Sequence, residues 1–283
     1  MNLSYVVSTS ATRFAAVGQG RGPAEAMRFL AGVGFEGVEL AIRDPSQVDV
    51  GRLAAVASGL GVAVPAIGTG QAYLEEGLSL AAPEAAIRER TVGRLLAHVD
   101  TARRMHALLI VGLIHGPIPP EADREAAAAR LLDGLGRVAR AAAEAGVRIV
   151  IEPINRYESN WLNTVEEVLE LIERLGADNV GVLPDTFHMN IEEASIPAAL
   201  RRAGPRVWHV HVADSNRRAP GDGHLEWAEV VAVLREIGYT GFLSAEILPH
   251  PTLEEAARRT IEVLRAHVPR SARAAGPGGH VAP

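Results

Sequence analysis

Glu152, Asp185, His211 and Glu246 follow one another at intervals of 33, 26 and 35 residues, each at or just past the carboxyl end of a short apolar run. The runs are VRIVIEP (147–153), NVGVLPD (179–185), VWHVHVAD (207–214) and GFLSAEI (241–247). Three carboxylates and one imidazole suit Mn²⁺, Mg²⁺ or Co²⁺ better than a structural zinc, which usually takes cysteine and histidine. Four protein ligands leave about two positions of an octahedral ion for adjacent substrate oxygens. An α-hydroxyketone supplies that pair, and polarising its carbonyl acidifies the neighbouring C–H and stabilises an enediolate. If Glu152 removes the proton from one face and Glu246 returns one from the other, the carbon inverts and the product is an epimer. Delivery to the neighbouring carbon gives an aldose–ketose isomerase instead, and the residues leave both outcomes open. Taken singly, a glutamate after a strand is more often a helix cap or an ion-pair partner. The shared phase of four such residues argues for one site. His209 has the parity of His211 and points inward with it, so it is expected to support the ion site from beside it.

The elements that must position these groups are also legible. Eight apolar segments, 3–8, 36–42, 62–68, 107–113, 147–152, 180–184, 207–213 and 242–247, alternate with helical stretches. A βα unit repeating about every 30 residues with functional groups at strand carboxyl ends predicts an α/β protein, a single-domain (β/α)₈ TIM barrel spanning residues 1–269. Near-continuous apolar runs fit a parallel sheet covered by helices, and a doubly wound open sheet is the structural competitor. The clearest helix is 89–105, with Val92, Leu95, Leu96, Val99 and Ala102 on one face. Thr164 with Glu167, and Thr252 with Glu255, have capping-box spacing and set helix starts after strands five and eight. Pro117, Pro119 and Pro120 mark a loop after strand four, and the Gly-, Ala- and Pro-rich residues 270–283 read as a disordered tail.

Composition narrows the chemistry. The 283 residues contain no cysteine, and all 28 cationic side chains are arginine, so thiol nucleophiles and Schiff-base lysines are both absent. Carboxylates and histidines are left as the main proton carriers. A net charge of −6 argues against a polyanionic partner, and so against a barrel endonuclease. No apolar stretch approaches the roughly 20 residues of a membrane span, and the N-terminus lacks the pattern of a secretory signal, so a soluble cytoplasmic protein is expected. The glycines at 18, 20 and 22 do not make GxGxxG, and no phosphate-binding GxxxxGK[ST] exists.

EPINRYE (152–158), PDTFHMNIEE (184–193), HVADSNRRAPGDGH (211–224) and the Glu246 strand resemble the xylose isomerase-like barrel family in its ketose 3-epimerase branch. VVSTS (6–10), ELAIRDPS (39–46) and AIGTGQAYLEEGLSL (66–80) are similar, within that branch, to 5-keto-L-gluconate epimerases. The resemblance implies that Glu152 and Glu246 bind metal and serve as acid and base, and that Asp185 and His211 complete the ligand set. It further implies that Glu158, His188 and Arg217 hold substrate oxygens, that one divalent ion, Mn²⁺ first, is bound per subunit, and that the protein is a homodimer or homotetramer. His115 stands where similar chains carry arginine and is taken as a supporting residue. Ala213 and Asp214 replace the glycine and glutamate usual in the sugar epimerases, which favours a keto sugar acid over a neutral ketose. An acid needs a cation, and Arg43 and Arg156, each just past a strand end, are the candidates. A ketohexose 3-epimerase of the D-tagatose or D-psicose type, aldose–ketose isomerisation, an abasic-site endonuclease and a non-catalytic sugar-binding barrel are the competing functions.

Overall fold

The computed structural model describes residues 1–119 and 122–269; Pro120, Glu121 and the tail 270–283 lie outside the described residues. Its strands are β1 (Asn2–Ser8), β2 (Gly37–Ala41), β3 (Ala66–Gly68), β4 (Leu108–Val111), β5 (Ile149–Ile151), β6 (Val180–Val182), β7 (Val210–Val212) and β8 (Phe242–Ala245). The α-helices are α1 (Pro23–Val33), α2 (Val50–Leu60), α3 (Gly70–Glu76), α4 (Ala85–Met105), α5 (Arg124–Glu144), α6 (Val165–Leu175), α7 (Thr186–Glu192), α8 (Ile196–Ala203), α9 (Trp227–Glu236) and α10 (Leu253–His267). Apart from β1, the strands are shorter than the apolar segments that contain them. At β3 the cause is Pro65, whose missing N–H ends the ladder before Ala66.

Neighbouring strands pair in parallel in the order β6-β5-β4-β3-β2-β1-β8-β7. Two parallel bridges, Val182 to Val207 and Asp185 to His211, join the remaining edges. Their hydrogen bonds run from Trp208 N to Val182 O at 3.2 Å and from His211 N to Pro184 O at 3.0 Å. The sheet therefore closes on itself, which excludes the doubly wound alternative. It closes at the point where two of the four candidate ligands become neighbours.

Along each strand the side chains alternate between the helix layer and the barrel axis. Leu3, Tyr5 and Val7 of β1, Val38 and Leu40 of β2, and Val210 and Val212 of β7 join the large core beneath the helices. The opposite parity carries Ser4, Ser8, Glu39, His209, His211 and Ser244, all buried. A smaller apolar plug of Ala66, Ile110, Val150 and Leu183 fills the axis beside them. Gly181 shows how tight this layer is, because a Cβ there would stand 2.5 Å from the Trp208 ring.

Caps and helix faces mostly follow the sequence. Thr164 and Glu167 form a reciprocal capping box, and Thr252 accepts from Glu255 N at the start of α10. In α4, Val92, Leu95, Val99 and Ala102 are buried, but Leu96 is exposed. At 100° per residue Leu96 falls on the flank of the buried arc, which turns instead toward Thr91, His98 and Met105. Among the described residues no helix is long and apolar enough to cross a membrane.

Candidate active site

The carboxyl ends of β5 to β8 deliver one buried cluster. Glu152 follows β5 directly, Asp185 caps the amino end of α7, His211 lies within β7, and Glu246 follows β8 directly. His211 Nδ1 is 3.1 Å from Glu152 Oε1, 3.8 Å from Asp185 Oδ2 and 3.9 Å from Glu246 Oε1. Asp185 Oδ1 accepts from Phe187 N, while its Oδ2 is buried without a partner. A buried anionic oxygen without a donor is costly, and a cation among these atoms would satisfy it. Ligand atoms of Glu152, Asp185, His188 and Glu246 lie within 4.8 Å of one another, a separation that a single ion can bridge.

The two histidines facing this cluster turn different ring nitrogens toward it. His188 Nδ1 accepts from the Asn155 backbone N–H and from its Nδ2, at 3.3 and 2.7 Å. The remaining proton therefore sits on Nε2, which makes His188 a hydrogen-bond donor to the pocket. Burial, with the Arg217 and His211 charges, holds its pKa well below the usual imidazole value. His211 is arranged the other way. Its Nε2 donates to Glu39 Oε1 at 3.0 Å and its Nδ1 to Glu152 Oε1 at 3.1 Å; a cation would take the place of the Nδ1 proton while Glu39 keeps hold of Nε2–H.

Burial also sets the protonation of the acids. Glu246 is raised to about 7, first by desolvation and then by Glu152 and Glu39, against the pull of His211 and Arg217. Asp185 is raised to about 6 by desolvation and by Glu246. Glu152 is raised by desolvation too, but the hydrogen bond from His211 opposes it. Burial works against a charge on His211, yet Glu39, Glu246 and Glu152 around it lift its pKa well above the usual value.

Arg217 closes the cluster on the solvent side. It donates to Glu158 Oε1 at 2.7 Å and to Glu246 Oε2 at 3.1 Å. Its guanidinium lies between the Phe14 and Phe187 rings, 5.0 and 4.8 Å from their centroids. The backbone at Arg217 is left-handed, φ 60°, an uncommon conformation for a non-glycine residue. Asn155 Nδ2 also donates to Glu158 Oε1, at 2.8 Å. Arg217, Glu158, Phe14, Glu152, His188, His211 and Glu246 line one pocket together with Glu39, Gln71 and the apolar side chains of Val6, Leu74, Ile110 and Leu113.

A profile of the xylose isomerase-like TIM barrel family matches residues 27–267. The chain belongs to that family. An L-ribulose 3-epimerase of Mesorhizobium japonicum is 34% identical over 82% of this chain and 77% of its own. A D-psicose 3-epimerase of Agrobacterium fabrum is 33% identical over 77% and 76%. A solved L-ribulose 3-epimerase structure superposes with a TM-score of 0.82 at 28% identity, covering 94% of both chains. The relatives place the chain in the ketose 3-epimerase branch of the family.

Within this family barrel, Glu152, Asp185, His211 and Glu246, singled out by strand phase, come together with Glu158, His188 and Arg217, singled out by the resemblance. His209 stands beside the cluster, its Nε2 2.7 Å from Glu39 Oε2. His115 is not brought to it. Its Nδ1 meets Gly116 O at 3.0 Å and its ring packs edge-on to Trp161, because the 3-10 turn Leu113–His115 carries the side chain away from the axis. Arg156 and Arg43 are not in the pocket either. Arg156 is exposed and donates to Glu192 through N, Nε and Nη2, and Arg43 is engaged by Gln47 and Glu76.

The residue that sequence reasoning missed is Glu39. It is buried at the axis of β2, and it accepts from both His209 and His211. Desolvation alone would raise its pKa, but the two imidazoles hold it well below the usual carboxylate range. The signal was a lone acid inside the apolar strand GVELA.

Proposed function

We propose that the protein is a divalent-metal-dependent ketose 3-epimerase acting on a neutral ketose. The observation that carries this reading is the pair Glu152 and Glu246, which approach His211 Nδ1 from two different strands with their carboxylates buried. Glu152, Asp185, His211 and Glu246 are the proposed ligands, and their oxygen-rich donor set fits Mn²⁺ first, with Mg²⁺ and Co²⁺ served by the same atoms. The ion would supply Lewis acidity at the substrate carbonyl.

This chain's own groups then divide the proton work. Glu152, reaching the cluster from β5, takes the C3 proton. Glu246, reaching the cluster from β8, holds the second proton and gives it to C3 from the opposite face. The C3–H bond electrons pass into the enediolate and return to the new C–H bond, so the stereocentre inverts without redox change. His188 Nε2–H donates to a substrate oxygen, and Glu158 with Arg217 holds its neighbour. Together these groups fix the ketose so that C3 lies between the two carboxylates.

The pocket favours a neutral ketose over the keto sugar acid expected from sequence. Among the described residues lining it, Arg217 is the single arginine, and two carboxylates already engage it. A substrate carboxylate would have to displace one of them. The test is to incubate Mn²⁺-loaded protein separately with D-psicose, L-ribulose and 5-keto-L-gluconate in deuterium oxide, and to follow each by proton NMR. The expected result is loss of the C3 proton signal with one new epimer, fastest on a neutral ketose. Fastest turnover of the acid would overturn the substrate choice, and a product with a moved carbonyl would make the protein an aldose–ketose isomerase.

A further inference from the structure

The catalytic cluster comes from β5 to β8, but half of the pocket is built from the loops and helices after β1 to β4, and one feature of that wall has no use within the protein. Gln71, on α3, is 2% exposed. Its Nε2 donates to Ser8 Oγ at 2.8 Å, and Ser8 Oγ gives its own proton to Ser10 O. With the Ser8 proton committed, the serine must accept from the amide, so the carboxamide cannot be reversed. Gln71 Oε1 is thereby held as an acceptor, and it is buried with no partner.

The rest of this wall offers no donor of its own. Thr69 Oγ1 gives its proton to Ile110 O at 2.8 Å, and Leu74, Leu113 and Val6 are apolar. An unmet buried acceptor costs stability unless something else supplies the hydrogen. Among the described residues lining the pocket, the buried side-chain atoms without a partner are Gln71 Oε1 and Arg217 Nε, and Gln71 lies on the wall that follows β3. A ketose bound with its reacting carbons at Glu152 and Glu246 must place the remainder of its chain within the same pocket, which Gln71 also lines.

We propose that Gln71 is a specificity-determining residue that reads the far end of the substrate, its Oε1 accepting a hydrogen bond from a hydroxyl on C5 or C6. The inference rests on the ketose 3-epimerase reading and deepens it. The favoured substrate class is a ketose long enough to carry a free hydroxyl at that end, and an analogue lacking it leaves the amide oxygen unpaired. Rejection of such an analogue is on the order of 10- to 100-fold in kcat/KM, the scale of one buried hydrogen bond.

The test compares D-psicose with its 5-deoxy and 6-deoxy analogues on the Mn²⁺-loaded wild type, Gln71→Leu and Gln71→Glu. In the wild type, one deoxy analogue should fall 10- to 100-fold below the parent ketose, within the scale given by one buried hydrogen bond. Gln71→Leu should lose the same factor on the parent and leave that analogue unchanged. Gln71→Glu, which keeps an acceptor while Ser8 turns to donate to it, should restore the discrimination. The analogue is also the folding control, since a misfolded variant loses both substrates together. Equal losses on parent and analogue, or no loss on either, would overturn the role of Gln71 while leaving the epimerase reading intact. If the wild type epimerises no ketose, the epimerase reading itself fails and this inference falls with it.

Discussion

Glu39 Oε1 lies 3.0 Å from His211 Nε2, and this contact decides which way the imidazole faces. With Nε2 pinned, Nδ1 is turned toward Glu152, Asp185 and Glu246. The second oxygen of Glu39 is held by His209 at 2.7 Å, so the carboxylate cannot swing away. Removing such an outer partner typically weakens metal binding 10- to 100-fold, by about that factor in Kd. Glu39→Gln should show this loss in calorimetric titration with Mn²⁺ while the far-ultraviolet circular dichroism stays the same. An unchanged Kd would leave Glu39 with no part in orienting His211.

Glu152→Gln and Glu246→Gln each remove a proton carrier while keeping the shape of the side chain. Epimerisation should fall by roughly 10² to 10⁴-fold in each variant, measured as the rate of C3 proton exchange in deuterium oxide. A non-catalytic sugar-binding barrel would show no exchange in the wild type and unchanged ligand binding in both variants.

The raised carboxyl groups tie metal affinity to pH. Glu246 at about 7 and Asp185 at about 6 hold protons that a cation must displace. Their folded values exceed their unfolded ones, so the folded protein without metal binds more protons, and these groups' contribution to stability is lost as pH rises toward 7. Both effects have the same sign. The Mn²⁺-induced rise in Tm should therefore be larger at pH 8 than at pH 5.5, read by scanning calorimetry at fixed free metal. A rise that shrinks between those pH values would contradict the proposed ligand set.

Gly112 sits where β4 passes Glu152. A Cβ at this position would stand 2.5 Å from Glu152 Oε2, so Gly112→Ala must push that carboxylate aside. A displacement of about 1 Å can cost 10²-fold in rate. Activity should fall by about that factor, with KM changed much less than kcat. Wild-type kcat in Gly112→Ala would show that Glu152 is free to move without consequence.

Much of this site was legible before any coordinates, because chemistry and topology share one repeat. Strand-end placement at 152, 185, 211 and 246 needed only the phase of the apolar runs, and in a parallel barrel all strand carboxyl ends meet on one face. Cap chemistry at Thr164 was equally local. The limits appear at His115, Arg43 and Arg156, which occupy strand-end positions in the chain but turn to Trp161, Glu76 and Glu192. Sequence position sets the end of the barrel at which a side chain lies, and the turn that follows the strand sets where it points.

Tertiary structure alone decided what no interval in the chain encodes. Glu39 and His211 are 172 residues apart, and only closure of the barrel brings β2 across the axis from β7. The same closure gave His188 its tautomer through Asn155 and committed Arg217 to Glu158 and Glu246, so the pocket keeps no spare cation among its described residues. It also left Gln71 Oε1 without a donor. Local residue patterns determine strands, helices and the face on which functional groups gather. Hydrogen-bond pairing in the interior depends on distances between elements remote in sequence, and those exist only once the chain has folded.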